Sequence, residues 1–279
     1  MVELKKAGSS KGTNTDNRTI LIYGPHGVGK TTIGAMLKSA VIVLTEPHGL
    51  QSIQDANPDA TYALVKDYEE VLSVIKAATE EGLKCIKNNT TPVYEWIVFD
   101  SITDIVRMLQ RYMLASKGRE RMGRDDWPNL TMEINSLVDK IRRIPFLNKL
   151  YIMAEGSEIV DPETDSSYSR RVPSTVGSKN YYAFTGSSHL IGRLIKGQKS
   201  KERLVVLDMP DTEGVSKGHA NLKALEYPRL DEWIVALKRG VDPLAFAAEY
   251  GGLNNIPVKD KEEAKDDGVE AETKHKVKK

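Results

Sequence analysis

Gly24-Pro25-His26-Gly27-Val28-Gly29-Lys30-Thr31 is the stretch that decides the fold, because it has the G-x-x-x-x-G-K-T spacing of a phosphate-binding loop. The apolar run from Thr19 to Tyr23 comes directly before it and predicts a β-strand, and residues 31–39 after it have a helical pattern. Strand, loop and helix in this order are the context that the motif requires. The sequence therefore predicts a site for phosphate groups where the strand gives way to the helix.

Each residue type in this loop has a physical reason. Gly24 and Gly29 let the backbone turn tightly and approach an anion without a Cβ in the way. Lys30 offers a positive charge to phosphate oxygens, and the Thr31 hydroxyl is an oxygen ligand of the kind that Mg²⁺ binds. The predicted nucleotide-binding residues are Gly24, Pro25, His26, Gly27, Val28, Gly29, Lys30, Thr31 and Thr32.

Three further apolar runs end in acidic side chains. Residues 40–44 are followed by Glu46, residues 96–99 by Asp100, and residues 149–154 by Glu155. Short apolar runs rich in β-branched residues are typical of buried parallel strands, and ligands bind at the carboxyl edge of such sheets. We therefore expect the three carboxylates near the phosphate loop.

These acids have different expected roles. Asp100 is predicted to hold Mg²⁺ opposite Thr31. Since the next residue is Ser101 rather than Glu, the water-activating acid has to lie elsewhere, and Glu46 is the best candidate; a turn or capping carboxylate ahead of Pro47 is the alternative. Glu155 is a possible sensor of the γ-phosphate, or a merely solvated side chain.

Two basic segments are candidates for nucleic-acid binding. Residues 116–127 are polar and predict a mobile surface loop, followed by a helix that begins at Pro128. Residues 156–188 predict a long loop that has basic side chains with aromatic side chains nearby. Solvated loops, with the aromatics packed underneath, are the alternative. The candidate DNA-binding residues are Lys117, Arg119, Arg121, Arg124, Arg170, Arg171 and Lys179.

Residues 188–196 and 203–207 predict two strands of an antiparallel hairpin. Lys199 and Lys201 at its basic tip, and Lys217 beyond it, are candidates for acting on the nucleotide of a neighbouring subunit. A solubilised turn is the alternative. His189 and His219 have no ligand spacing, so we expect no metal role for them.

Composition limits the class of protein. The 279 residues carry a formal net charge of +1 and one cysteine, so a global basic field, an internal disulfide and a zinc cluster are excluded. No apolar run is long enough to span a bilayer, and we expect a soluble, cytoplasmic protein. The predicted organisation is a flexible arm over 1–17, one ATPase domain over 18–256 and a disordered charged tail over 257–279.

The order of these features resembles the RecA-like ATPase core, and more narrowly the phage-encoded Sak group of ATP-binding proteins linked to single-strand annealing. The resemblance implies an α/β fold with a mainly parallel central sheet, helices on both faces and an antiparallel hairpin extension. It also implies ATP and Mg²⁺ as ligands, Glu46 as the catalytic base, and loops at 115–127 and 156–180 that face single-stranded DNA.

The same resemblance implies partners and location: a homo-oligomeric ring or short filament, a single-strand-binding protein, and, if the chain is phage-encoded, the cytoplasm of a bacterial host. The chain departs from RecA in lacking large terminal domains and in having Glu155 where RecA has a polar amide. The paired basic residues that complete a neighbour's site in that family have no clear match.

The expected function is therefore an ATPase that acts on single-stranded DNA in phage-type recombination or annealing. Three alternatives stay open at this point. One is a helicase loader or replication accessory, the second is a small-molecule kinase with residues 116–124 as its lid, and the third is a nucleotide-dependent switch with negligible turnover.

Overall fold

The computed structural model describes residues 17–160, 167–177, 179–196, 203–207, 213–217 and 224–226. Lys199 and Lys201, residues 1–16 of the predicted arm, the part of the predicted domain beyond residue 226 and the predicted tail lie outside these ranges. The extent of the domain stays a prediction.

The described elements alternate strand and helix along most of the chain. They are β1 (Thr19–Gly24), α1 (Lys30–Ala35), β2 (Ala40–Leu44), α2 (Gly49–Ala56), β3 (Thr61–Leu64), α3 (Tyr68–Asn88), β4 (Trp96–Asp100), α4 (Ile102–Ser116), α5 (Asp126–Arg142), β5 (Asn148–Val160), β6 (Tyr168–Pro173), α6 (Tyr182–Ser187), β7 (Leu190–Lys196), β8 (Arg203–Val206) and β9 (Ala224–Glu226).

A single sheet organises these elements, with strand order β3-β2-β4-β5-β1-β7-β8-β9. The six strands from β3 to β7 are parallel to their neighbours, whereas β8 and β9 add on in antiparallel fashion. The β7–β8 pair is the predicted hairpin. The mainly parallel α/β architecture with an antiparallel extension is confirmed.

Alternate side chains of the central strands feed two separate cores, one on each face of the sheet. Leu21 and Tyr151 belong to the core that α3, α4 and α5 cover, and Ile22 and Val98 belong to the core that α1 and α2 cover. Because successive side chains of a strand point to opposite faces, a continuous apolar run is what a strand covered on both faces requires. Helices on both faces are thus confirmed.

Capping fixes where α4 begins. The Ser101 side chain accepts a hydrogen bond from the Asp104 backbone N–H, so Ser101 is the N-cap of the helix that follows β4 directly. A serine is favoured there because it satisfies an N–H that has no partner within the helix. This role explains why the residue after Asp100 is a serine.

The loop predicted over residues 156–188 is wrong. The second half of β5 pairs with β6 in antiparallel register from Glu155↔Pro173 to Val160↔Tyr168, and α6 follows. The polar composition hid this hairpin, although the side chains of β6 alternate between partly buried and exposed from Tyr168 to Arg171.

Two local expectations also need correction, and two elements were missed. Helix α5 begins at Asp126, so Pro128 lies in its first turn and does not open it. Residues 116–127 are anchored and not a mobile loop, as described below. The elements α2 and β3 were missed, and β3 lacks the apolar signal of a core strand because it is a largely exposed edge strand.

Candidate nucleotide-binding site

The phosphate loop joins β1 to α1 and requires glycine at two positions. Gly27 has φ 69° and Gly29 has φ 97°, both in the left-handed region where side chains with a Cβ are strained. Gly24 has a reason beyond the one predicted. A Cβ there would lie 2.3 Å from the carbonyl oxygen of Leu194, so glycine is needed for packing against β7; its role in the approach of an anion stays a prediction.

Lys30 reaches back across the loop. Its Nζ donates to the carbonyl oxygens of Gly24 (2.9 Å) and Pro25 (2.8 Å). Burial lowers the pKa of Lys30, and the charges of Asp100, Glu155 and Glu46 act in the opposite direction. The predicted cation and the three predicted carboxylates are therefore within electrostatic reach of one another.

Asp100 ends β4 and is buried, with one oxygen unsatisfied. Its Oδ2 has no hydrogen-bond partner among the described residues. Burial raises the pKa of Asp100 to about 6, although hydrogen bonding with the Thr31 hydroxyl and the charge of Lys30 oppose the rise. Buried acceptors normally have partners, and a carboxylate oxygen left open beside a hydroxyl fits a hard divalent cation such as Mg²⁺. Asp100 and Thr31 are the residues that would hold it.

Glu46 lies at the same edge of the sheet, two residues beyond β2. The segment is tied to Asp100 by Thr45, whose backbone N–H donates to the Asp100 carbonyl oxygen (2.8 Å) and whose hydroxyl accepts from the Ser101 N–H (3.1 Å). Glu46 itself is exposed, and its charge contributes to raising the pKa of Asp100. An exposed carboxylate close to the loop is what an acid that orients water needs.

Glu155 is held by arginines and is not simply solvated. Arg193 binds it through two hydrogen bonds, Nε to Oε2 (2.7 Å) and Nη2 to Oε1 (3.1 Å), and Arg171 Nε lies 3.8 Å from Oε1. Paired bonds of this kind orient a carboxylate strongly. Its role as a sensor stays a prediction.

Sequence reasoning missed two arginines at this site. Arg193 stands opposite Tyr23 of β1 in the sheet register, and a charge inside the apolar run of β7 was the available signal. Arg203, the first residue of β8, has its Nε 3.7 Å from the position that a Cβ on Gly29 would occupy. An arginine of the same chain therefore lies beside the phosphate loop. It pairs with Lys196 at the end of the described β7–β8 ladder that is next in sequence to the tip predicted to act on a neighbour.

Several predicted DNA-binding residues have partners within the chain. Lys117 Nζ and Arg119 Nη1 bind the carboxylate of Asp126 at 2.6 and 3.1 Å, and the Asp126 side chain is only 3% exposed. Arg170 binds Glu158 at 3.0 Å and donates to the Tyr182 hydroxyl at 3.1 Å. The two ion pairs of Asp126 are the contacts that anchor residues 116–127.

Apart from Arg171, which contacts Glu155, the other predicted DNA-binding residues are exposed. Arg121, Arg124 and Lys179 are exposed and form no ion pair with another residue of the described ranges. The two basic segments meet where the Trp127 ring lies 3.4 Å from the position of a Cβ on Gly177, and the Thr131 hydroxyl of α5 donates to Asn180 Oδ1 (2.8 Å) close by. Their sequence separation gave no sign of this contact. Binding of DNA by any of them stays a prediction.

Lys217 lies at the opposite edge of the sheet from Lys30. Its Nζ donates to the carbonyl oxygen of Ser188 (2.7 Å), next to His189. The Nδ1 of His189 accepts from the Thr19 N–H (3.0 Å), and no group of three His, Cys, Asp or Glu side chains within the described ranges is placed to hold a metal. Lys217 is therefore away from the nucleotide site of its own subunit. Its role at the site of a neighbouring subunit stays a prediction.

A phosphate loop and a buried, partly unsatisfied aspartate at one edge of a parallel sheet define a P-loop NTPase fold. Residues 16–218 match a family model described as an AAA domain, and the chain belongs to this family. Among solved structures it is similar to the crystal structure of the RadB recombinase, with 19% identity, a TM-score of 0.41, and coverage of 68% of this chain and 79% of that chain. No curated protein matches the chain. None of the helices described here has both the length and the apolar content needed to cross a membrane.

Proposed function

We propose that this protein hydrolyses ATP with Mg²⁺ and acts on single-stranded DNA in recombination or annealing of the phage Sak type. One observation carries the hydrolytic part. The charges of Lys30, Asp100 and Glu46 interact with one another at one edge of the sheet, and the buried Oδ2 of Asp100 has no hydrogen-bond partner among the described residues. The DNA part rests on the resemblance and on the exposed basic surface.

The chain's own residues supply the chemistry. Lys30 would exchange its bonds to the carbonyl oxygens of Gly24 and Pro25 for bonds to phosphate oxygens, and Thr31 and Asp100 would hold the metal. Mg²⁺, when bound, neutralises charge that develops on the phosphates. Glu46 orients a water and accepts its proton, a role that typically contributes about 10²–10⁴ in rate.

The DNA-binding surface combines charges with stacking faces. The cations Arg121, Arg124 and Lys179 are exposed on the two basic segments, and Trp127 and Tyr182 are 41% and 45% exposed. Cations contact the phosphates of a single strand while aromatic rings stack on its bases. In a ring or short filament of copies, hydrolysis at one site would change the grip of this surface, and a single-strand-binding protein is a proposed partner.

The test is the rate of ATP hydrolysis with and without single-stranded DNA, measured against salt concentration. We expect stimulation by DNA that weakens as salt rises, because ions compete for the phosphate contacts. A Lys30→Ala protein is the control for contaminating activity. Hydrolysis that DNA leaves unchanged would exclude the DNA-coupled function.

The alternatives separate in further assays. A helicase loader would stimulate unwinding by a partner helicase, whereas an annealing protein would pair complementary strands without one. The kinase alternative is disfavoured because Asp126 anchors Lys117 and Arg119, within the segment that would have to close as a lid.

A further inference from the structure

A second cavity lies at the amino ends of β1, β5 and β7, at the edge of the sheet opposite the phosphate loop. It has a volume of about 590 Å³, and Thr19, Lys149 and His189 are among its lining residues. The six residues of β1 separate this edge from Gly24. At about 3.3 Å per residue the two edges are roughly 17 Å apart, so the cavity is not part of the nucleotide site.

The lining of this cavity is basic. Arg142, Arg143, Lys149 and Lys217 contribute to it with His189, and it contains no Asp or Glu. The whole chain is nearly balanced, with 40 Lys and Arg against 39 Asp and Glu. Arg142, Arg143 and Lys217, around a cavity whose lining has no carboxylate, are therefore a local concentration of charge; Lys149 is buried and donates to the Ile144 carbonyl oxygen (2.7 Å).

The described partners of Arg142, Arg143 and Lys217 leave much of the charge of these three side chains available. Lys217 Nζ binds a neutral carbonyl oxygen, that of Ser188. Arg142 lies 3.8 Å from Asp139, but both side chains are about 60% exposed, and such pairs contribute little in water. Arg143 is exposed and forms no ion pair with a residue that the structure describes.

Two observations within the fold show the field that these cations create. Burial lowers the pKa of His189, and the positive charges of Arg18, Lys217 and Arg142 lower it further. The Nε of Arg18 is buried and has no hydrogen-bond partner in the described part of the chain. The surroundings of His189 thus disfavour another positive charge and favour a negative one.

We infer that this cavity is a second anion site, which binds a phosphate group through Arg142, Arg143 and Lys217. Arginine and lysine bind phosphate oxygens by charge-assisted hydrogen bonds. The phosphate can come from a free phosphorylated small molecule or from the backbone of a nucleic-acid strand. The inference does not rest on ATP hydrolysis, and it stands if the proposed function fails.

The experiment uses full-length protein carrying Lys30→Ala, so that the phosphate loop does not contribute. Binding of inorganic pyrophosphate is measured by calorimetry, and binding of a labelled oligothymidylate of about 20 nucleotides by fluorescence anisotropy. Arg142→Gln with Arg143→Gln removes two exposed cations of the cavity. Lys140→Gln with Lys76→Gln removes two exposed cations outside its lining, one of them on the same helix.

We expect the cavity variant to bind one probe at least about tenfold more weakly than the control variant, since each lost charge-assisted contact contributes a substantial factor. Weaker pyrophosphate binding assigns a free phosphorylated ligand, and weaker binding of the oligonucleotide alone assigns a strand. Equal binding of both probes by the two variants would overturn the inference, as would the absence of binding to either probe in the Lys30→Ala protein.

Discussion

Asp100 combines two properties that a folded chain normally keeps apart, burial and an unsatisfied oxygen. Burying an acceptor without a partner costs about 1–3 kcal/mol, so such atoms concentrate at functional sites. The Thr31 hydroxyl and Lys30 reduce this cost without cancelling it, because the pKa of Asp100 still rises to about 6 through burial. The site is thus stabilised by whatever cation completes it.

Replacing Lys30 with alanine should abolish nucleotide binding, since Nζ is the cation positioned beside the loop carbonyls. Fluorescence titration with a labelled ATP analogue measures the loss. Lys38→Ala, at an exposed position just beyond α1, is the matched control and should bind normally. Tight binding by the Lys30→Ala protein would contradict the assignment of the loop.

Replacing Glu46 with glutamine should leave ATP binding intact and slow hydrolysis by about 10²–10⁴, the usual contribution of a general base. Single-turnover hydrolysis is the measurement. Glu155→Gln is the informative comparison, because Arg193 and Arg171 already hold that carboxylate. If Glu155→Gln loses the larger factor, the base is Glu155 and the assignment of Glu46 is wrong.

The sequence was informative about these residues to different degrees. Glu46, Asp100 and Glu155 could be predicted, because acids that follow apolar strands reach one edge of a parallel sheet. Arg193 had the signal of a charge inside an apolar run and Arg203 had none, and the position of both beside the loop depends on β7 pairing with β1 and β8 with β7. That neighbour order is a property of the tertiary fold and not of a local pattern.

Among the elements, the segment between α4 and α5 shows how one carboxylate can order a polar stretch. Asp126 accepts from Lys117, from Arg119 and from the Gly123 backbone N–H (2.8 Å). Its neighbours in sequence suggested only a solvated loop, because an acid among basic residues has the same composition whether it is buried or exposed.

The contribution of Asp126 to stability should depend on pH. Hydrogen bonding with Lys117, and then with the Gly123 N–H, lowers the pKa of Asp126 to about 2. The unfolded value is about 3.9, so the stabilisation is complete above that pH and is lost as the pH falls through about 2.

Melting temperatures of the natural protein and of Asp126→Asn, measured between about pH 2 and pH 7, test this dependence. The two proteins should differ at neutral pH and converge in acid. Asp125→Asn, at the exposed neighbouring position, should change little. A gap that stays constant across the whole range would contradict the role given to this carboxylate.

The contact between β1 and β7 gives a second prediction at this scale. Gly24→Ala places a Cβ 2.3 Å from the Leu194 carbonyl oxygen, so it should destabilise the fold by about 1–3 kcal/mol, as overpacking does. Gly186→Ala is the control, because a Cβ at that position meets no atom within 4 Å. Chemical denaturation of both variants makes the comparison, and equal stability would show that the strands separate easily.

Strands were predicted correctly where nearly every side chain of the strand is buried, and they were missed where partly buried and exposed side chains alternate along the strand. The apolar runs of β1, β2 and β4 gave those strands nearly to the residue. The β5–β6 hairpin was missed because its side chains are mostly polar, and its pairing is stabilised by backbone bonds and by ion pairs such as Arg170 with Glu158.

At the scale of the whole molecule, the sheet order ranks the strands by protection. β1, β4 and β5 lie inside the sheet between two cores, whereas β3 pairs on one side only and is largely exposed. Local opening should therefore be frequent in β3 and rare in the centre. Hydrogen exchange should release the amides of β3 first, and slower exchange in β3 than in β4 would contradict this ranking.

The sequence predicted the fold class of the whole molecule but not the order of the strands in its sheet. The phosphate loop, the parallel strands and the helices on both faces followed from motif and periodicity. The separation of β1 from β4 by β5, and the basic cavity at the far edge, bring together residues from distant parts of the chain. No pattern within a short window contains that information.

One continuous strand serves two regions of this molecule. β5 has 13 residues; those before Glu155 lie between β1 and β4, and those from Glu155 onward pair only with β6. At about 3.3 Å per residue, the part from Glu155 to Val160 extends roughly 17 Å beyond the parallel strands. A small rotation at Glu155, where the two arginines bind, would therefore displace Val160 and its partner Tyr168 by more than it displaces Glu155 itself.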